Sequence, residues 1–165
     1  MGRTSAVTLT IKRQFVASSE QVFDAWLDSN IMKKWLFTTE ITNKVTHNDP
    51  QVGGSWEIVD HRQGKDYRAI GEYLDIRRPN TLVFTFAMPQ FSDTKDLIKV
   101  NIAATGQGSE MTFIQEMIVP HEEDWTASDI EKAEREYITS SEQGWNLMFD
   151  GLQQLLETGE VNHPL

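Results

Sequence analysis

The residues able to do acid–base or metal chemistry are few and scattered. Four histidines stand at positions 47, 61, 121 and 163, and no two share the i, i+4 spacing that puts two ligands on one helix face. There is no cysteine, which excludes disulfides, zinc–thiolate sites and thiol nucleophiles. Gly53-Gly54 is a glycine pair rather than a phosphate-cradling loop, and no Gly-x-Ser-x-Gly elbow occurs. His121-Glu122-Glu123-Asp124 reads as a solvated charged loop before it reads as a metal site. Asp60, His61, Tyr73 and Arg13 are loose candidates for acid–base work but form no constellation. The expectation is therefore no catalytic residue, no metal and no cofactor, with non-enzymatic binding favoured over catalysis.

Large apolar side chains are the richer signal. Trp35, Trp56, Tyr73, Phe84, Phe86, Trp145, Met148 and Phe149 come from two helical segments and several strands, and are the candidate lining of a hydrophobic ligand cavity. Plain core packing is the competing reading for each. Arg13 shares an alternation phase with Leu9, Ile11 and Phe15, so it is the candidate polar anchor if that phase faces a pocket. A strand-end arginine that pairs with a local acid is the alternative.

The elements that must position these residues follow from hydrophobic period. Residues 7–16 alternate as a half-buried strand. Ser18 with Gln21 is a capping box for a helix at about 19–27, and Asp28 can cap a second at about 29–36. Strands are predicted from Ile41 to Thr46, Ser55 to Asp60, Tyr67 to Ile76, Thr81 to Met88, Asp96 to Ala104 and Glu110 to Val119. Turns fall at residues 63–66, 77–80 and 105–109, and Pro120 opens the charged loop. Ser128 with Glu131 is a second capping box, and Trp145, Met148, Phe149, Leu152, Leu155 and Leu156 form one helical stripe. An unbroken helix to Glu157 would be ~43 Å long. Ser140 with Gln143 allows a restart near 139–141, while Tyr137 and Ile138 extend the stripe across it, so continuity stays open. The tail from Thr158 to Leu165 is expected to fray. The pattern predicts an α+β fold: an antiparallel sheet of about six to seven strands, two short helices after the first strand, and a long closing helix.

At 165 residues the chain suits a single domain, 1–165, with its core in 7–157. A formal charge of -10 argues against a nucleic-acid partner. The start of the chain has no apolar signal region, position 6 is not the Ser or Thr of a myristoylation site, and no run could span a bilayer; a cytoplasmic protein without membrane insertion is expected.

The chain resembles the START-like, helix-grip superfamily, also called the polyketide cyclase and lipid-transport superfamily. Within it, the chain is similar to the branch named after the C-terminal domain of the activator of the Hsp90 ATPase. The resemblance is carried by Arg13-Gln14-Phe15-Val16-Ala17, Val22-Phe23-Asp24-Ala25-Trp26, Trp35 and Gly53-Gly54-Ser55-Trp56. It continues through Gly71-Glu72-Tyr73-Leu74-Asp75-Ile76, Leu82-Val83-Phe84-Thr85-Phe86, and Gly144-Trp145 to Leu155. Where the family often has Ala-Pro, this chain has Ala17-Ser18, and the segment from Pro120 to Ala127 is long and acidic, either a cover for one mouth of a cavity or an ornament. The resemblance implies a curved sheet gripping the closing helix, with a small hydrophobic molecule bound between them. It also admits a cyclase- or hydrolase-type enzyme using the same cavity, or a chaperone co-factor acting through its surface.

Overall fold

The computed structural model describes residues 3–159. Seven strands form one antiparallel sheet in the order β1-β7-β6-β5-β4-β3-β2: β1 Thr4–Phe15, β2 Asn43–Asn48, β3 Ser55–Arg62, β4 Lys65–Arg77, β5 Thr81–Phe86, β6 Asp96–Thr105 and β7 Gly108–Pro120. From β2 to β7 each strand pairs with the next, and β1 then pairs with β7 along its whole length. Two short helices, α1 (Ser19–Leu27) and α2 (Ser29–Trp35), follow β1, and α3 (Ala127–Thr158) closes the chain. This is the α+β arrangement the hydrophobic pattern predicts, and the helix-grip fold that the resemblance implies.

Local chemistry accounts for the elements. In β1, Leu9, Ile11 and Phe15 are buried while Thr8, Thr10, Lys12 and Gln14 face water. The Ser18–Gln21 capping box forms, and the Asp28 carboxylate accepts the Asn30 amide at 2.9 Å to start α2. The sheet's inner face and the apolar side of α3 meet in one core that holds Trp26, Trp35, Trp56, Phe84, Phe113, Trp145, Phe149 and Leu152.

Several boundaries differ from expectation. The strand expected at Ile41 begins at Asn43; Thr39 and Thr42 bond their hydroxyls to each other at 2.6 Å, which curls the chain and leaves Ile41 92% exposed. Lys65 and Asp66, expected in a turn, belong to β4, because Gln63 (φ 53°) and Gly64 (φ 77°) make a two-residue hairpin turn with both φ positive. The strand expected to run to Met88 ends at Phe86, with Ala87 making an isolated bridge to Ile70. Pro120 is not a loop residue but closes β7 opposite Thr4, where a missing N–H costs nothing at a strand end.

α3 starts one turn-signal earlier than predicted. Thr126 and Asp129 form the capping box, not Ser128 and Glu131, and Ala127 is already helical. The helix is continuous through 139–141 and runs for 32 residues, ~48 Å. Gly159, in the left-handed region at φ 87°, caps it. The remainder of the tail, residues 160–165 with His163, lies outside the described residues. No helix among the described residues is long and apolar enough to cross a membrane.

Gly71 marks where β4 passes over the core. A Cβ there would stand 1.8 Å from the Thr85 carbonyl oxygen and 2.4 Å from Trp56 Nε1. Gly71→Ala is expected to lower stability by about 1–3 kcal/mol or more, the usual cost of overpacking, as read from the urea unfolding midpoint.

Candidate ligand pocket beside the closing helix

α2 ends at Trp35, and the next residues turn back beneath α3. Leu36 takes an extended conformation, and Phe37 lies in the left-handed region at φ 59°, unusual for a bulky side chain. The turn is held by its contacts. The Phe37 ring stacks on Phe86 at 4.9 Å and meets Trp145 edge-on at 5.1 Å, and its amide donates to Met148 Sδ at 3.1 Å. A strained backbone thus sits where α2, α3 and the sheet converge.

In front of Phe37 lies a pocket of about 390 Å³. Its apolar walls are Trp35, Phe37, Met88, Leu147 and Met148, and its polar side is Thr38, Thr39, Asp60, Arg62 and Tyr67. Gly144 lies on the helix wall with nothing within 4 Å of where a Cβ would be. Leu147, on the same stretch of helix, is 70% exposed.

The polar side is built around Asp60, which is 2% exposed. One carboxylate oxygen accepts the hydroxyls of Thr38 at 2.8 Å and Thr42 at 2.5 Å. The other faces Arg62 Nε at 2.6 Å. The Arg62 guanidinium in turn lies 4.6 Å from the centroid of the Tyr67 ring. The charge on Asp60 is thus compensated on both oxygens, as a buried carboxylate requires.

The sequence candidates divide in two. Trp35 and Met148 line the pocket. Trp56, Tyr73, Phe84, Phe86, Trp145 and Phe149 lie among the rings behind it: Trp56 stacks on Phe37 at 6.2 Å, Phe84 meets Trp56 edge-on at 5.8 Å and Tyr73 at 6.3 Å, and Trp145 lies 5.5 Å from Phe149. Arg13 stands elsewhere. Its Nη1 donates to Asp150 at 2.6 Å and Gln153 at 3.3 Å, and its Nη2 to Asn146 at 3.1 Å, so it clamps α3 to β1. Arg13 does share the inward phase of Phe15, but that face meets the flank of α3 there rather than open space.

The acid–base candidates do not converge either. Asp60 lines the pocket, whereas His61, next in the strand, points to the other face and pairs with Asp66 at 2.6 Å. Tyr73 donates to Asn48 Oδ1 at 2.5 Å, and burial raises its phenol well above the usual tyrosine range. Among the described residues no group of three or more metal-ligating side chains comes together. The acidic loop does not cover the pocket: its His121 bonds the Ser5 hydroxyl at 2.9 Å and packs near Trp125, tying the loop to the start of β1.

Sequence reasoning missed Phe37, Thr38, Arg62 and Leu147, which line the pocket, and Gln115 and Asp96, which support it. Gln115 carried a signal. Gln115 interrupts the buried phase Met111, Phe113, Met117, Val119 of β7. Its side-chain carbonyl accepts the Trp145 indole N–H at 3.0 Å, and its amide donates to Asp96 at 2.9 Å. Asp96 also accepts the Ile118 amide at 3.2 Å.

With this geometry the chain can be compared with known proteins. Residues 16–157 match the family described as activator of Hsp90 ATPase homolog 1-like protein. The chain belongs to that family. A protein of unknown function from Staphylococcus aureus has a similar structure, with a TM-score of 0.89 and 28% identity over 94% of this chain and 96% of that one. A Chromobacterium violaceum protein (TM-score 0.70, 22% identity, 91% and 97% covered) and one from Nitrosomonas europaea (0.71, 17%, 93% and 96%) share the fold. No curated protein matches. Family membership accounts for the fold; it does not specify a ligand or a reaction.

Burial raises the Asp96 carboxyl above the ordinary 3.8, while the bonds from Ile118 and Gln115 pull it back. The folded state therefore holds this proton more tightly than the unfolded chain. The Asp96 contribution is most favourable below pH 3.8 and fades as pH rises through the folded value. Gln115→Leu removes one of the two opposing bonds and should raise the Asp96 pKa further, measured by carboxyl carbon NMR. It also leaves the Trp145 indole N–H without its partner, and should cost about 1–3 kcal/mol in urea unfolding.

The exposed Asp24 carboxyl acts in the opposite sense. Two hydrogen bonds from Arg78, at 2.8 and 2.9 Å, hold it below 3.8. Its contribution is complete above 3.8 and is lost as pH falls through its lower folded value. Asp24→Asn should flatten that acid limb in denaturation curves taken at successive pH values.

Proposed function

We propose that the protein binds a small, largely apolar molecule in the pocket between α3, the segment after α2 and the concave sheet. The observation that carries this reading is the pocket itself. It has about 390 Å³ of space, walls of Trp35, Phe37, Met88, Leu147 and Met148, and one localised polar side. That combination of apolar wall and a few fixed polar groups is the usual character of a small-molecule site, and the volume lies within the usual range.

Binding is favoured over acid–base catalysis by the state of the candidate groups. Asp60, His61, Tyr73 and Arg13 are dispersed, and each is already engaged by a neighbour. The ring cluster has a supporting role in this reading: Phe37 separates Trp56, Phe86 and Trp145 from the pocket, so a larger ligand would reach them by displacing one side chain.

Gly144 offers a test that separates binding from folding. Gly144→Leu places a side chain in open space at the pocket wall and replaces a poor helix former with a good one. Affinity for an apolar fluorophore such as anilinonaphthalene sulfonate should fall roughly tenfold or more, a loss of ~1.4 kcal/mol, while the unfolding midpoint holds or rises. Native mass spectrometry of the gently purified protein should show a retained small molecule in the wild type and less of it in the variant. Unchanged binding in the variant would sink the assignment to this pocket.

A further inference from the structure

Arg62 is the part of the pocket whose chemistry is not exhausted by the fold. We infer that the bound molecule carries a carboxylate, held end-on by the Arg62 guanidinium, with its apolar body against Phe37, Leu147 and Met148. This inference rests on the pocket reading above and deepens it.

The guanidinium is fixed on two sides before any ligand arrives. Nε pairs with the Asp60 carboxylate at 2.6 Å, and Cζ lies 4.6 Å from the centroid of the Tyr67 ring. Asp60 cannot turn away, because Thr38 and Thr42 hold its other oxygen and the residue is buried. With the ion pair on its Nε side, the guanidinium keeps its two terminal nitrogens as a planar fork, the geometry that receives a carboxylate through two parallel hydrogen bonds. Among the described residues no protein partner occupies those terminal nitrogens, and the Arg62 side chain is 48% exposed while lining the pocket.

Charge bookkeeping within the pocket favours the same head group. Asp60 and Arg62 are its two charged lining residues, and the Asp60 charge is already answered by two hydroxyls and by its ion pair with the guanidinium. The fork is thus a donor set without an acceptor, on the polar side of a space whose other walls are apolar. A molecule with an apolar tail alone would leave it facing water. A cationic head would meet Arg62 directly. The carboxylate satisfies both nitrogens, and the preset orientation lowers the ordering cost of binding.

Isothermal titration calorimetry of the full chain with decanoate and with 1-decanol, at matched salt, tests this. The expected result is decanoate binding roughly tenfold or more tightly than decanol, since hydrogen bonds to a charged group outweigh neutral ones. Arg62→Met should abolish the preference and leave decanol binding in place, and Arg62→Lys should retain part of it. Because Arg62→Met leaves Asp60 buried without its cation, the double variant Asp60→Asn/Arg62→Met serves as the folded control with the same expected loss. Equal binding of acid and alcohol to the wild type would overturn the carboxylate assignment while leaving the pocket standing, as would a preference that survives loss of Arg62. If neither probe binds, the pocket reading falls and this inference with it.

Discussion

The hydrogen bond from the Trp145 indole to Gln115 is the point at which helix and sheet become one body. Five other rings of the interior surround that indole. Phe113 lies 4.4 Å away on the sheet, Phe37 5.1 Å away from the segment after α2, and Trp26 6.0 Å away from α1. Leaving that buried N–H unpaired would cost about 1–3 kcal/mol, and the neighbouring indoles of Trp26 and Trp56 have no such partner among the described residues. Gln115 meets that need from within an apolar strand face, and Asp96 in turn fixes Gln115. The chain of three side chains sets the height and rotation of α3 over the sheet, which apolar contacts alone would leave loosely specified.

Fixing α3 at Trp145 divides the helix in two. The fully buried residues of α3 are Trp145, Phe149, Gly151 and Leu152, all in its C-terminal half. Arg13 adds a second clamp there through Asp150, Asn146 and Gln153. On the flank that faces α2 and β3, Gly144, Leu147 and Met148 are left beside a space that Phe37 only partly fills. The pocket is therefore a consequence of how the helix is pinned. Rings occupy the space below Trp145, and the flank beside it stays open.

The polar side of the pocket comes from an unusual local economy. Residues 36–42 leave α2 in a curl that turns Phe37 inward and brings the hydroxyls of Thr38 and Thr42 onto Asp60. Asp60 then orients Arg62 two residues along the same strand face. Backbone strain at Phe37, a buried carboxylate and a preset guanidinium are thus parts of one arrangement. Any one of them alone would be an ordinary feature of a core or a surface.

Much of this fold was legible without coordinates, because hydrophobic period and capping chemistry act within a few residues. The β1 alternation, the Ser18–Gln21 box, the sequential antiparallel pairing from β2 to β7 and the stripe from Trp145 to Leu156 follow from such local rules, whereas the pairing of β1 with β7 does not. The sequence also showed which side chains are large and apolar, and it bounded the chemistry by lacking cysteine and any catalytic spacing. It could not separate rings that fill the core from those that border free space, since Trp35 and Trp145 have the same local signature, each on the apolar stripe of a helix. Nor could it pair Arg13 with Asp150, or Asp60 with Thr38 and Arg62, because those partners meet only after the sheet has curved and α3 has been laid across it. Period and capping belong to the chain. A cavity and its polar fork belong to distances between elements, and only the tertiary packing sets those.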